Sequence, residues 1–221
     1  MAKLWEKDYD VDALIEEFTV GRDHILDVEL VSADCLGSMA QARMLRSIGI
    51  LTSGEEKALH EALAAILRDH EKGTFTISRG DEDCHTAIEN RLGRELGDAG
   101  KKIHTCRSRN DQVLTALRRY GPTFVLLIIA AGCGLAGALL AAAEQHKNVP
   151  MPGRTHTQTG MPSSAGLWLT AFAEELLDDM DILKTAYDLG NRCPLGSAAS
   201  YGTPLPLDRE LTARLLGFPA P

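Results

Sequence analysis

A mainly α fold is what this sequence predicts, and three observations carry the prediction. Apolar residues recur at intervals of three and four in several stretches, the period of a helix with one buried face. Those stretches are bounded by residues that cap or break helices. Aromatic residues are 5% of the chain, while Ala, Leu and Gly supply much of the 44% hydrophobic fraction, which suits close-packed helices. A chain of 221 residues is long enough for one large domain or two small ones.

Residues 1–35 mix acidic, aromatic and apolar side chains without a clean period, and read as an extended arm followed by a helix start. From Leu36 the pattern is helical: Leu36, Met39, Ala40, Met44, Leu45 and Ile48 share a stripe, and Gly49 closes it. Thr52 followed by Glu55 is a capping box. The helix it opens carries Leu59, Leu63, Ile66 and Leu67 and closes near Gly73. T-F-T-I-S at 74–78 fits a short strand or a loop. A further helix follows Asp81 and is broken by G-D-A-G at 97–100.

H-T-C-R-S-R-N-D-Q at 104–112 is a crowded polar loop. Beyond it, residues 123–143 carry no charge, which meets the length criterion for a membrane span. The polar context on both sides favours a helix buried in a bundle or oligomer core, and no membrane partner is expected. Pro122 is expected to interrupt this helix or to start a new one. M-P-G-R-T-H-T-Q-T-G-M-P at 151–162 reads as a loop, 163–187 as a helix and 191–204 as a second glycine-rich loop. A last helix spans 207–218 with Asp208 as its cap. The expected division is a helical domain over 1–103 and part of a helical bundle over 104–221.

The formal charge of −8, from 23 basic and 31 acidic residues, argues against a general nucleic-acid binder. Cysteines stand at 35, 84, 106, 133 and 193, an odd number without a C-x-x-C pair. That spacing suggests neither a zinc site nor a disulfide framework, and fits a reducing, cytoplasmic setting. The amino terminus lacks the apolar run of a signal peptide.

The chemistry concentrates in the three polar loops. Guanidinium, amide and hydroxyl groups hold carboxylates, and Arg109, Asn110 and Gln112 stand close together with Thr105 and Ser108 beside them. A helix beginning at Asp111 adds backbone N–H groups for an anion. Thr155, His156 and Gln158 form a second group, in which His156 has the chemistry to move a proton near neutral pH. The third loop offers Ser197, Ser200 and Thr203. His85 stands four residues before Glu89 and pairs with it on a helix face, too few ligands for a metal. Taken singly, each group reads equally well as a solvated turn. Together they point to a helical protein with an anionic ligand and acid–base capacity.

Read in series, the loops carry a more specific signal. H-T-C-R-S-R-N-D-Q-V at 104–113 resembles the signature of the argininosuccinate lyases, in the fumarase/aspartase superfamily. M-P-G-R-T-H-T-Q at 151–158, P-L-G-S-A-A-S-Y-G-T-P-L-P-L-D-R-E at 194–210, D-C-L-G-S-M-A-Q-A at 34–42 and D-E-D-C-H-T-A-I-E at 81–89 resemble further segments of that family. The N-terminal K-L-W fits as well. The resemblance implies a fumarase/aspartase-like fold and a β-elimination that cleaves argininosuccinate to arginine and fumarate, with no cofactor and no metal. It implies that His156 is the acid–base residue, with Thr155 beside it. Thr105, Arg109, Asn110, Gln112, Gln158 and His85 are implied to bind or orient the substrate. It also implies a cytoplasmic homotetramer whose central helices form one bundle and whose sites draw on three subunits.

The resemblance covers the amino-terminal half of that family. The serine loop G-S-S-x-M-P-x-K-x-N, which carries the family's base, is not among these 221 residues. The chain by itself is therefore expected not to catalyse. Two alternatives stand beside this: one half of a split enzyme that needs a carboxy-terminal partner, and a nonenzymatic product of crystallin type. Cys106 stands where the signature has glycine, and Cys84 where a larger apolar residue is usual.

Overall fold

The structure, a computed structural model, describes residues 12–221. The K-L-W segment lies outside them. The described residues form two compact units. The larger runs through Tyr120 and resumes at Asn191; the smaller is Gly121–Gly190.

The larger unit begins with two short helices, α1 (Ala13–Val20) and α2 (Asp23–Leu26), then a 3-10 turn over Asp27–Leu30. The extended arm expected here is thus helical from Ala13 onward. Asp12 makes this possible, its carboxylate accepting the Leu14 N–H at 2.8 Å. Helix α3 (Val31–Ser47) starts before Leu36, because Val31, Ala33 and Cys35 already lie on the buried side. Helix α4 (Ser53–Glu71) opens with the expected capping box: Thr52 Oγ1 accepts from Glu55 N at 3.2 Å, and Glu55 returns to Thr52 N at 2.8 Å. Residues 74–78 form a loop. Helix α5 (Cys84–Leu96) is capped by Asp83, which accepts from Thr86 N at 2.6 Å. Gly97 stops it, and the short α6 (Asp98–Lys102) follows. Gly100 packs so tightly on the Leu92 carbonyl that no Cβ fits there.

Helices α3, α4 and α5 pack on one another around Val31, Met44, Leu45, Leu59, Leu63, Ile66, Ile88 and Leu92, all fully buried. Each such leucine or isoleucine stabilises the unit by about 1.5–3 kcal/mol over leaving it exposed. The chain returns after Asn191 and ends in α9 (Arg209–Leu216), capped by Asp208 as expected, which packs on α3. Cys193, Leu195, Ala213 and Phe218 make a small second core there.

Helix α7 (Arg109–His146) is shared by the two units and passes through Pro122 without a break. The expected interruption does not occur, since one proline removes a single N–H from a ladder of 38 residues. Its apolar stretch is largely exposed within this chain, with Phe124, Leu127 and Leu135 at 52%, 64% and 52%. By length and composition this helix passes the test for a membrane span, and its most apolar window is 6% buried.

The smaller unit completes α7 with a hairpin and helix α8 (Ala165–Gly190). Residues 151–162 are not a loop but most of an antiparallel ribbon of β1 (Pro150–Thr155) and β2 (Gln158–Ser164). Pro152 pairs with Pro162, and the register shifts between Pro152 and Arg154. A two-stranded ribbon consists of edges alone, where a strand tolerates proline, and this is why a proline-rich segment escapes the usual strand signals. Gly166 lets α8 start against the backbone of Ala143 and Lys147. Trp168 and Phe172 meet edge to face at 5.4 Å.

Candidate active site

The polar stretch at 104–112 ends as the first turn of α7. Ser108 caps it: Ser108 Oγ accepts from Asn110 N at 2.9 Å, and Asp111 Oδ1 accepts from Ser108 N at 3.0 Å. The helix therefore starts at Arg109, two residues before Asp111. The other oxygen of Asp111 accepts from Gly196 N at 3.1 Å and Ala198 N at 2.8 Å. One buried carboxylate thus fastens the third loop to the start of α7. Cys106 Sγ, 3.2 Å from Thr203 Oγ1, adds a second link. Cys106 holds φ at +54, a conformation that suits glycine.

Two further carboxylates organise the groups around this helix start. Asp34, on α3, has His85 Nδ1 at 2.9 Å and accepts from Gln112 Nε2 at 3.0 and 3.3 Å. Burial pushes the Asp34 carboxyl up, but the charges of His85 and Arg107 and the Gln112 amide outweigh it and hold it below its ordinary value. Burial pulls the His85 imidazole down, and Asp34 more than reverses this, leaving it raised. Glu89, on α5, accepts from Arg107 at 2.8 Å and from Arg109 at 3.4 Å, with His104 Nδ1 at 3.0 Å. Its own burial favours protonation, but the His104 contact and both guanidiniums prevail and hold it down at about 2. His85 and Glu89 do not pair with each other as expected. Each has a stronger opposite charge, Asp34 for one and the arginines for the other.

The two arginines differ. Arg107 is buried, its guanidinium fixed by Glu89 and by Ser38 Oγ at 3.0 Å. Arg109 is 20% exposed and held by longer contacts: 3.4 Å to Glu89 and Thr86, with 2.9 Å to Gln112 Oε1. Arg109 is thus the more loosely held and more exposed of the two. Asn110 beside it is exposed. Thr105 is partly buried, and its carbonyl accepts from Gln41 Nε2 at 3.1 Å. His85, Thr105, Arg109, Asn110 and Gln112 therefore belong to the larger unit. His85, Gln112 and Arg109 form one chain of contacts running through Asp34.

Thr155, His156 and Gln158 lie in the smaller unit, at the exposed tip of the hairpin. His156 and Thr157 form a two-residue turn with φ of +50 and +62, the type that normally takes Asn-Gly. A β-branched residue in this region is strained, and such strain concentrates at functional sites. Thr155 Oγ1 stands 2.9 Å from His156 Nδ1.

Sequence reasoning missed Asp34, Glu89 as a hub, and Asp111 as a fastener. A signal existed for the first. Asp34, Ser38 and Gln41 recur at helical spacing among buried positions of α3, a polar stripe that a buried network requires.

Comparison with known proteins fits this geometry. An argininosuccinate lyase of Phocaeicola vulgatus is 50% identical over 98% of this chain and 48% of its own length. That of Thermotoga neapolitana is 45% identical over 98% of this chain and 54% of its own. The chain thus spans about half the length of the curated relatives it matches. Among solved structures, an EDDS lyase variant with bound fumarate superposes with a TM-score of 0.78 at 29% identity, over 96% of this chain and 41% of that one. A fumarate lyase:delta crystallin from Brucella melitensis, at 19% identity and a TM-score of 0.74, shares the fold, covering 96% of this chain and 52% of its own. The family model described as "Lyase" matches residues 6–219, and with that span the chain belongs to the lyase family.

Proposed function

We propose that this chain forms part of an argininosuccinate lyase site, where β-elimination yields arginine and fumarate. A base takes a proton from the carbon beside a substrate carboxylate, and the charge spreads into that carboxylate. The carbon–nitrogen bond then breaks, and the departing guanidinium nitrogen receives a proton. His156 is the acid–base residue in this reading, with Thr155 orienting its ring. Arg109, Asn110, Gln112, Thr105 and His85 hold the dicarboxylate portion, and Gln158 helps to orient it. The observation that carries the reading is the contrast between Arg107, locked in the interior, and Arg109, partly exposed on long contacts beside Asn110. An arginine so placed suits reversible binding of a carboxylate whose charge grows during reaction. The curated relatives named above support the choice of substrate. A cytoplasmic homotetramer belongs to the same proposal, supported by the exposed apolar surface of α7.

The test supplies argininosuccinate to the purified chain, alone and co-purified with the carboxy-terminal half of a relative, and follows fumarate by its ultraviolet absorbance. Turnover in the complemented sample that disappears with His156→Ala is the expected result. A stable complex without turnover overturns the proposal.

A further inference from the structure

A second chemical grouping, sharing only His85 with the proposed substrate contacts, lies at the start of α5. The Asp27 carboxylate, the Cys84 thiol and the His85 imidazole each place a ligand atom within 4.8 Å of the other two. They come from two separate elements, the 3-10 turn before α3 and the first turn of α5. Asp27 Oδ2 also accepts from Cys84 N at 3.4 Å, which ties the turn to the helix start. Cys84 and His85 are 0% and 1% exposed, while Asp27 is only partly buried and gives an approach from solvent.

A second observation points the same way. His85 Nδ1 faces Asp34 Oδ1 at 2.9 Å, a carboxylate contact of the kind that fixes the ring of a metal-ligating histidine. The surroundings are acidic: Asp83 caps the helix that Cys84 begins, and Asp34 lies against His85. A divalent ion converts the thiol to thiolate and pairs with the carboxylate.

We propose that Asp27, Cys84 and His85 form a three-ligand site for a thiophilic divalent cation of the zinc or cobalt class. Thiolate, imidazole and carboxylate together select such ions over magnesium and calcium, which prefer oxygen alone. Thiolate and carboxylate neutralise the ion's two charges, and a water completes four-coordination. Bond lengths of about 2.0–2.3 Å require the three side chains to close inward slightly. The site shares His85 with the proposed lyase reading, so a bound ion competes with the substrate role given to that residue there.

Cobalt(II) titration of the purified chain tests this, because cobalt bound to thiolate absorbs in the near ultraviolet and tetrahedral cobalt in the visible. The expected result is one saturable site that releases protons on binding and is reversed by zinc. Cys84→Ser should abolish the near-ultraviolet band, while Cys106→Ser and Cys133→Ser retain it. Absence of the band in the parent chain, or its survival in Cys84→Ser, overturns the proposal. If circular dichroism shows that Cys84→Ser does not fold, Asp27→Asn decides: a loss of cobalt affinity of about 10-fold or more supports the site, and unchanged affinity overturns it.

Discussion

Asp34 and Gln112 stand 78 positions apart in the sequence and meet at 3.0 Å in the interior of the larger unit. The same carboxylate faces His85, so one α3 side chain sets the position of two residues proposed to touch substrate. Asp34→Asn should destabilise the chain by about 3 kcal/mol, since it leaves a buried imidazole without its counter-charge. His85 should then titrate lower, visible in its ring proton resonances by NMR. The sign follows from the directions of the two shifts. Stabilisation from the raised His85 is complete below its ordinary value of 6.5 and is lost as pH rises through the folded value. That from the depressed Asp34 is present above 3.8 and is lost as pH falls through its folded value. Urea unfolding across pH should show both flanks in the parent chain and neither in the variant.

Glu89 gives a separate acid limb. Its carboxyl, held at about 2, contributes stability that is complete above 4.5 and declines as pH falls toward 2. The contribution is on the order of 3 kcal/mol. Glu89→Gln should remove this limb, and a curve that keeps its full acid slope would contradict the assignment.

Asp111 accepts three backbone N–H groups from two segments. Asp111→Ala should cost about 3 kcal/mol, because buried donors lose a charged acceptor. Limited proteolysis should show new cleavage between residues 194 and 204 before any elsewhere.

Cys106→Gly should stabilise the chain by about 1 kcal/mol, as a positive φ is strained for any side chain and free for glycine. Cys106→Ala keeps the strain and gains nothing. Equal melting temperatures for the two variants would show that the positive φ carries no strain at this position.

Leu127, Leu135 and Leu140 are exposed on α7 at 64%, 52% and 45%. Exposed apolar surface of this kind drives association in water. The purified chain should sediment as an oligomer in detergent-free buffer, and Leu127→Glu with Leu135→Glu should reduce it. A parent chain that sediments as a monomer would be contrary evidence.

Helices were legible wherever periodicity and a cap coincided, as in α4 with Thr52 and Glu55, and α9 with Asp208. The hairpin was not, because Pro150, Pro152, Pro162, Gly153 and Gly160 hide a ribbon behind turn-forming residues. Arg109, Gln112 and His85 stood out in the sequence by residue type and by the signature. The carboxylates that aim them did not, since Asp34 and Glu89 act across distances that spacing along one helix does not reveal. That Arg107 is the buried one of the two arginines flanking Ser108 was likewise not legible, because spacing along the chain does not disclose burial.

The bonds from Gly196 and Ala198 to Asp111 also bear on how the protein is made. They join residues 85 and 87 positions apart, across the whole of the smaller unit. During synthesis the start of α7 emerges long before the loop that fastens it. The larger unit cannot close until residue 198 has left the ribosome, and its Asp111 carboxylate waits without two of its donors. Closing so long a loop is entropically slow. Translation speed through residues 121–198 therefore decides how long the nascent chain shows an unfinished surface to chaperones.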